Sequence, residues 1–449
     1  MSTLSAGSFG SGFHWGVSIA AAQNEGAFLD GGKSLSNWDT FARKQGKIKG
    51  GSTPCISADF YHRYKEDLLL TKALGFNAFR FSLSWSRIIP DGTGTVNKEG
   101  ILFYHKIIDE CLELGLTPFV TIYHWDMPQN LEDLGGWTSP LMVRWFSRYV
   151  KVCGDNFGDR VKNWIVVNEP LTFTALGYML GKHAPGKTGL KNFFDAILNA
   201  ALAQAEGGRI IRKEVKDAYI GTTFSCSEIF PYTNSNEDKQ AANRIDILMN
   251  RLFLEPAIGR GFPRDDDFPF LRELELCTSA WKYTTQMQFD FDFIGLQNYF
   301  PVTVRHDRFV PVIRASEVKP VDRNVPHTDF GWEINADSFY NIVKRISRYP
   351  EIKEIVITEN GSFFKDTMVD GRIADIGRTA YFQNHLQALQ RVQSEGINIR
   401  GYFAWTLTDN FEWNEGYHAR FGLIHVDFKS QLRTIKDSGH WWRSFLKPA

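Results

Sequence analysis

Trp164-Ile165-Val166-Val167-Asn168-Glu169-Pro170 is an apolar, β-branched run that stops at a glutamate and is followed at once by proline. The pattern returns later in the chain as Ile355-Val356-Ile357-Thr358-Glu359-Asn360-Gly361. Residues of this kind favour strands, and proline or glycine punctuates their ends. Both runs are continuously apolar rather than alternating, as expected of parallel strands covered on both faces. Each strand so read ends in a carboxylate at the rim of a sheet, where a substrate can reach it. Two carboxylates facing one pocket are the minimum equipment for cleaving a glycosidic bond.

Working outward, further strand-like segments fall at 13–20, 78–85, 117–125, 219–225, 291–299 and 399–406, which with 164–168 and 354–359 makes eight. Amphipathic stretches lie between them. Ser57 is placed to cap a helix with Phe60, Tyr61, Tyr64 and Leu68 on one side and Gly75 as its stop. Asn97 is placed to cap a second, with Ile101, Tyr104, Ile108 and Leu112 inward and Gly115 as its end. Residues 378–395 repeat the pattern with Tyr381, Leu386, Leu389 and Val392, closed by Gly396. Eight strands alternating with helices favour an α/β fold, a closed (β/α)8 TIM barrel, over an open doubly wound sheet. No linker or repeat divides residues 1–449, so one domain is expected. Segments 230–289 and 301–337 exceed what a crossover needs and are expected as extended loops or added helices at the C-terminal face.

Composition narrows the function classes. Lysine plus arginine and aspartate plus glutamate both total 51, giving no net charge and no basic excess for nucleic acid or an anionic membrane. The 13 tryptophans exceed what a core alone needs, and aromatic faces often grip sugars, although a large aromatic core accounts for most of them. Five cysteines at irregular spacing form no CxxC pair and have no histidine at zinc-ligand spacing. Cys111, on an apolar helix face, and Cys226, at a strand end, read as small core residues. Residues 1–12 lack the basic start and apolar stretch of a signal peptide, and no apolar run is long enough to span a membrane. The single glycosylation sequon, Asn360-Gly361-Ser362, lies beside a candidate catalytic residue, where a glycan would block the site. A cytoplasmic protein is expected. Oligomeric state stays open, a homo-oligomer included.

The strand ends gather one kind of chemistry. Gln23, Asn24 and Glu25 follow the first strand, and Arg80 lies within the second. His124 and Trp125 end the third, Asn168 and Glu169 the fourth, Gln297 and Tyr299 the sixth. Glu359 ends the seventh, and the eighth leads from Trp405 to Glu412 and Trp413. Barrel active sites are built at this face. Amides, acids, a histidine and tryptophans suit a ring of hydroxyls with an apolar face. A lone histidine is more often a satisfied core residue, and Arg80 must pair with an acid whatever its role. The convergence of so many strand ends decides for a site. The glycine-rich stretches at 7–12 and 92–94 do not sit between strand and helix, and no P-loop, nucleophile-elbow serine or HExxH helix occurs. Glu25, His124 and Glu412 are conceivable metal ligands, but their neighbours are amides and tryptophans, so neither metal nor cofactor is expected.

These motifs resemble glycoside hydrolase family 1, the retaining β-glucosidase family, from about Phe13 to Phe445. The resemblance rests on Asn168-Glu169-Pro170, Thr358-Glu359-Asn360-Gly361 and Tyr123-His124-Trp125-Asp126-Met127-Pro128. It rests also on Gly181-Lys182-His183-Ala184-Pro185-Gly186 and on Asp409-Asn410-Phe411-Glu412-Trp413 followed by Arg420-Phe421-Gly422-Leu423. It implies that Glu169 is the general acid/base and Glu359 the nucleophile. Gln23, His124, Asn168, Glu412 and Trp413 would bind glycone hydroxyls, with Trp405 as stacking floor. Arg80 and Tyr299 would keep Glu359 ionised, and Trp332 would line the aglycone entrance. The implied partner is a small β-glycoside or short β-linked oligosaccharide.

Three departures from the family pattern stand out. Val167 replaces a frequent phenylalanine and should face away from the substrate. Gln297, where asparagine is commoner, should alter the hydrogen bonds behind Tyr299. Segment 33–38 differs from the usual first loop. Relatives acting on 6-phosphorylated sugars tend to carry serine where this chain has Glu412. A carboxylate there would repel phosphate, so a neutral sugar is expected, and glutamate at 169 argues against the thioglucosidase branch. The competing readings are a non-catalytic carbohydrate-binding relative and a 6-phospho-β-glycosidase.

Overall fold

The structure is a computed structural model and describes residues 4–447. All eight expected strands form one closed parallel barrel in chain order. They are β1 (His14–Ser18), β2 (Ala78–Ser82), β3 (Thr117–Tyr123), β4 (Asn163–Asn168), β5 (Tyr219–Ser225), β6 (Phe293–Gln297), β7 (Ile355–Asn360) and β8 (Ile399–Trp405). Closure falls at β1, where Gly16 lies beside Phe403 of β8 on one edge and Ala78 of β2 on the other. Parallel neighbours need crossovers, and helices supply them. The principal ones are α1 (Phe60–Ala73), α2 (Lys98–Glu113), α3 (Met142–Phe157), α4 (Leu190–Glu214), α5 (Ala336–Ile346) and α6 (Ile376–Ser394), and α7 (Asp437–Leu446) follows the last strand.

The barrel interior changes character along its axis. At the N-terminal ends Ala78, Phe119, Ile165, Phe293, Val356 and Phe403 form a closed apolar cluster. The Phe403 ring occupies the space a side chain at 16 would need, and Phe293 does the same at 221, which is why glycine stands in both strands. One layer higher the inward residues become polar. Arg80 donates to Thr121 across β2 and β3 at 3.1 Å. That layer is the floor of the site.

Strand β4 slips register between Ile165 and Asn168, and β7 between Ile357 and Asn360. Simple alternation from Ile165 would turn Val167 inward and Asn168 outward. The slip reverses this: Val167 joins the large core outside the barrel, and Asn168 faces the interior amides and Arg80. In β7 Glu359 meets Arg80 inside while Asn360 bonds Tyr381 of α6 outside. Irregularities of this kind often re-aim side chains beside active sites.

Two helix details differ from expectation. Helix α1 starts after Asp59, in the left-handed conformation (φ 52°), rather than being capped by Ser57. The Ser57 hydroxyl instead meets the Gln23 carbonyl and ties this loop to the one after β1. On α2, Asn97 caps as expected, accepting from the Glu99 amide at 3.2 Å. Leu112, however, is 44% exposed. The buried arc centres on Tyr104, Ile107 and Cys111, and Leu112 falls past its edge. Helix α6 buries Tyr381, Leu386, Leu389 and Val392, as expected.

The long β5–β6 segment holds helices Asn236–Asp246 and Pro269–Thr278 and a π-helical turn, Ile247–Arg251. The β6–β7 segment contributes Val302–His306 and Ala315–Glu317 to a three-stranded sheet with Ile229–Pro231. Cys111 and Cys226 are buried, and all five thiols are free. Asn360 is wholly buried, its side chain bonded to the Asn298 carbonyl and to Tyr381 and Tyr402. The sequon is therefore closed to a glycan in the folded protein by packing alone, and it carries no information on compartment. No described helix is long and apolar enough to cross a membrane.

Candidate active site

A cavity of about 450 Å³ opens over the C-terminal ends of the strands, a size suited to a small ligand. Glu169, Glu359, His124, Asn168, Tyr299, Trp332, Trp405, Glu412 and Trp413 all line it. Gln23, Arg80 and Gln297 stand immediately behind that lining, bonded to it. Every expected site residue is thus brought to one place. Glu25 is the exception among the conceivable metal ligands. Its carboxylate accepts from Arg87 at 3.0 Å and Tyr104 at 2.6 Å, and so serves to anchor the loop after β1.

The two strand-end glutamates have unlike surroundings. Glu359 receives Arg80 Nη1 on one oxygen at 2.5 Å and the Tyr299 hydroxyl on the other at 2.6 Å. Burial pushes its carboxyl above the usual range, against the pull of the Arg80 charge and of hydrogen bonds from Tyr299, Arg80 and Gln297. Glu169 follows β4 in the left-handed conformation (φ 43°) and opens the short helix Pro170–Thr174. It pairs with no cation, and burial followed by the negative charge of Glu359 pushes it up to about 8. Of the pair, Glu359 is the one that ionises first, because it alone holds a guanidinium and a phenol. Once charged it keeps the proton on Glu169.

The amides behind the acids act as a relay of orientation. Asn168 Oδ1 accepts from Arg80 (2.5 Å), Gln297 (2.8 Å) and Thr223 (3.1 Å). Its Nδ2 must then donate to His124 Nε2, 3.1 Å away. That fixes the ring proton on Nδ1, which has no protein partner. Burial, helped by the Arg80 charge, holds His124 well below the usual imidazole range, so the ring is neutral. Gln23 donates to Asn410 and Glu412, both at 3.2 Å, and its Oε1 is unpartnered. Buried polar atoms without partners cost stability unless a ligand satisfies them.

Aromatic faces complete the walls. Trp413 packs against Trp38 and Trp125, each with ring centres at 4.5 Å. Segment 33–38, which departs from the usual first loop, therefore ends in a residue that backs the site. Trp405 packs with Phe363 and Phe421 beneath Trp332, and Trp332 stacks on Phe300 at 4.6 Å. Glu412 is pushed up to about 8 by burial and the Glu359 charge. Its charge is therefore opposed by the fold, which weakens Glu412 as the source of repulsion toward a phosphate. What stands against a phosphate is the lining itself, which contains no lysine or arginine among the described residues.

The family model for glycosyl hydrolase family 1 matches residues 5–448. The chain belongs to that family. Beta-glucosidase A of Thermotoga maritima is 41% identical over 441 residues, covering 98% of each chain. A Thermotoga maritima family 1 glycoside hydrolase complexed with a cyclophellitol-analogue transition-state mimic superposes with a TM-score of 0.94 at 41% identity, covering 98% of each chain. A 6-phospho-beta-galactosidase of Clostridium acetobutylicum is 33% identical, covering 97% of this chain and 96% of its own.

In this family 1 hydrolase the cavity also takes in residues that the sequence reading did not assign. His183 lies in a quoted motif without a role; its ring packs at a tilt against Trp125 and bonds Asn414 at 3.2 Å. Ser225 is the last residue of β5, a position that the strand-end rule reaches. Leu171 and Leu176 follow Glu169 closely enough to be suspected. Met249 and Phe330 arrive from long excursions and carry no local signal.

Proposed function

We propose that the chain is a single-domain retaining exo-β-glucosidase that hydrolyses terminal β-glucosyl residues through a covalent glycosyl-enzyme. Glu359 is the nucleophile and Glu169 the acid and base. The observation that carries this reading is the asymmetry of two buried carboxyls in one cavity, one clamped by Arg80 and Tyr299 and the other without a cation. A Glu359 oxygen attacks the anomeric carbon as the bond to the aglycone oxygen breaks, and the Glu169 proton passes to that leaving oxygen. Esterification removes the charge of Glu359, which had helped to keep Glu169 protonated, so Glu169 ionises more readily. It then takes a proton from water as the water oxygen attacks the anomeric carbon, freeing Glu359 and the β-configured sugar.

His124 Nδ1 and Gln23 Oε1, two of the orphaned polar atoms at the site, are completed by glycone hydroxyls, with Glu412 and Trp413 beside them and Trp405 as the apolar floor. Trp332 lines the aglycone entrance. A neutral sugar fits the lining better than a 6-phosphorylated one, because a dianion would meet acids and no cation. Five free thiols suit a reducing, cytoplasmic setting.

The test is Glu359→Ala. Activity on aryl β-glucosides should fall about 10,000-fold or more, and azide should restore turnover by attacking from the vacated face, giving α-glucosyl azide. Undiminished activity, or a β-configured azide, would overturn the assignment. A 6-phosphoglucoside hydrolysed faster than its unphosphorylated parent would overturn the sugar reading.

A further inference from the structure

Glu359 and Asn360 are neighbours on β7 that face opposite sides of the barrel wall. Glu359 lies in the cavity, and Asn360 lies outside it among side chains of α6 and β8. The Asn360 amide is fully buried and bonded at both ends. Its Nδ2 donates to the Asn298 carbonyl at 2.6 Å and to the Tyr381 hydroxyl at 2.9 Å, while its Oδ1 accepts from the Tyr402 hydroxyl at 2.5 Å. A carbonyl can only accept, which settles the orientation of the amide. Having accepted from Asn360, the Tyr381 hydroxyl donates its own proton to the Tyr299 carbonyl at 2.9 Å. Tyr299 lies past the end of β6, where the ladder has stopped; its last bond joins the Asn298 amide to the Glu359 carbonyl at 3.3 Å. Among the described residues Tyr299 makes no main-chain hydrogen bond, and Tyr381 is the one partner of its carbonyl.

We propose that Tyr381 is a positioning residue for the reaction: from outside the barrel its hydroxyl fixes the backbone of Tyr299 and so holds the Tyr299 phenol on the Glu359 oxygen. The proposal rests on the reading of Glu359 as nucleophile. The phenol meets Glu359 at 2.6 Å, and a donor stabilises an anion only while that length and direction are kept. Asn360 and Tyr381 tie both ends of the bond to one frame, because Asn360 follows Glu359 directly and Tyr381 grips Tyr299. The Tyr381 ring is held independently of its hydroxyl. It stacks on His385 with ring centres 3.8 Å apart, and the His385 ring is itself fixed by the Tyr381 main-chain carbonyl at 2.8 Å. Phenylalanine at 381 keeps that stack and loses the grip on Tyr299.

Burial pushes the Glu359 carboxyl up, and the phenol is one of the groups that pull it back. The charged groups facing Glu359 are Arg80, Glu169 and Glu412, and the Tyr381 hydroxyl bonds none of them. Burial keeps Tyr381 protonated and pushes His385 down to about 4, so neither adds a charge in the assay range. With the full chain and an alkyl β-glucoside, Tyr381→Phe should move the acid limb of kcat/KM up by about half a pH unit or more and leave the alkaline limb in place. Tyr299→Phe should move the acid limb further, and adding Tyr381→Phe to it should move it no more, because the phenol to be positioned is gone. Tyr402→Phe releases the far end of the Asn360 amide and should shift the acid limb in the same direction. An acid limb that stays in place in Tyr381→Phe, or in Tyr402→Phe where the first does not fold, would make this network mere packing and overturn the proposal. A shift of equal size in the Tyr299→Phe background would overturn it too, leaving the glycosidase reading intact. An acid limb that Tyr299→Phe itself does not move would overturn it together with the reading of Glu359.

Discussion

Glu169 and Glu412 are both pushed up to about 8, and in both burial comes first and the charge of Glu359 second. One ionised carboxylate thus sets the protonation of two others. For Glu169 the consequence is kinetic. Its protonated form is the active one, so kcat/KM should fall as pH rises through about 8 and, at the acid side, as Glu359 gains its proton. Glu169→Gln should abolish the alkaline limb and keep the acid limb, and on dinitrophenyl β-glucoside, whose leaving group needs no proton, it should lose little kcat/KM. With an alkyl glucoside the same variant should lose about 100- to 10,000-fold. An alkaline limb that persists in Glu169→Gln would assign it to another group, and equal losses on both substrates would remove Glu169 from the acid role.

The loop after β8 shows how an element holds site residues to the required geometry. It carries Glu412 and Trp413, and its conformation is pinned by Asp409. That buried carboxylate accepts from the Gly422 amide (3.1 Å), Arg420 (2.8 Å) and Lys436 (2.7 Å). Burial would raise its pKa, but the two cations more than offset this and hold it below the usual carboxylate range. Asp409→Ala should reduce unfolding stability in urea by about 3–5 kcal/mol, since Arg420 and Lys436 lose a buried counter-charge. It should also raise KM more than it lowers kcat, because Glu412 and Trp413 shift while Glu169, just after β4, and Glu359, on β7, stay in place. Unchanged KM in a destabilised variant would show that the loop is held elsewhere. At this scale the sequence was legible where a local rule sufficed. Strand-like runs, several of them continuously apolar, located every barrel strand, and the strand ends with the loops just after them located most of the assigned site residues, while Trp332 was reached only through the family resemblance. It was not legible where position depends on distant packing. Met249 sits in a π-helical turn of a long excursion, and Leu112 is decided by where the buried arc of α2 centres. Nor does the β4 register slip, which points Asn168 inward, follow from alternation along the strand.

At the scale of the whole molecule four buried acids make stability depend on pH in a direction opposite to that of a salt-bridged carboxylate such as Asp409. Asp67 is raised to about 6 and Asp126 to about 7, as Glu169 and Glu412 are to about 8, each chiefly by burial. Asp67 at least meets Arg433, whereas Asp126 forms no ion pair among the described residues. In the unfolded chain these carboxyls lose their protons near pH 4, while in the folded protein they keep them until pH 6 to 8. The folded state therefore binds more protons across that window. Its stability from these groups is fully present below about pH 4 and is lost as pH rises through the folded values. Removing one such acid should then stabilise the protein only where that acid would otherwise be driven to ionise. Asp126→Asn and Glu169→Gln should match the parent in thermal midpoint near pH 4 and exceed it increasingly toward pH 8, by an amount on the order of a few kcal/mol. The Asp126 variant should reach its full gain at lower pH than the Glu169 variant, because its carboxyl titrates first. Thermal unfolding followed from pH 4 to 9 reads both curves. A difference that does not change with pH would show that neither carboxyl is held protonated by the fold, and with it would fall the claim that burial keeps Glu169 ready to donate.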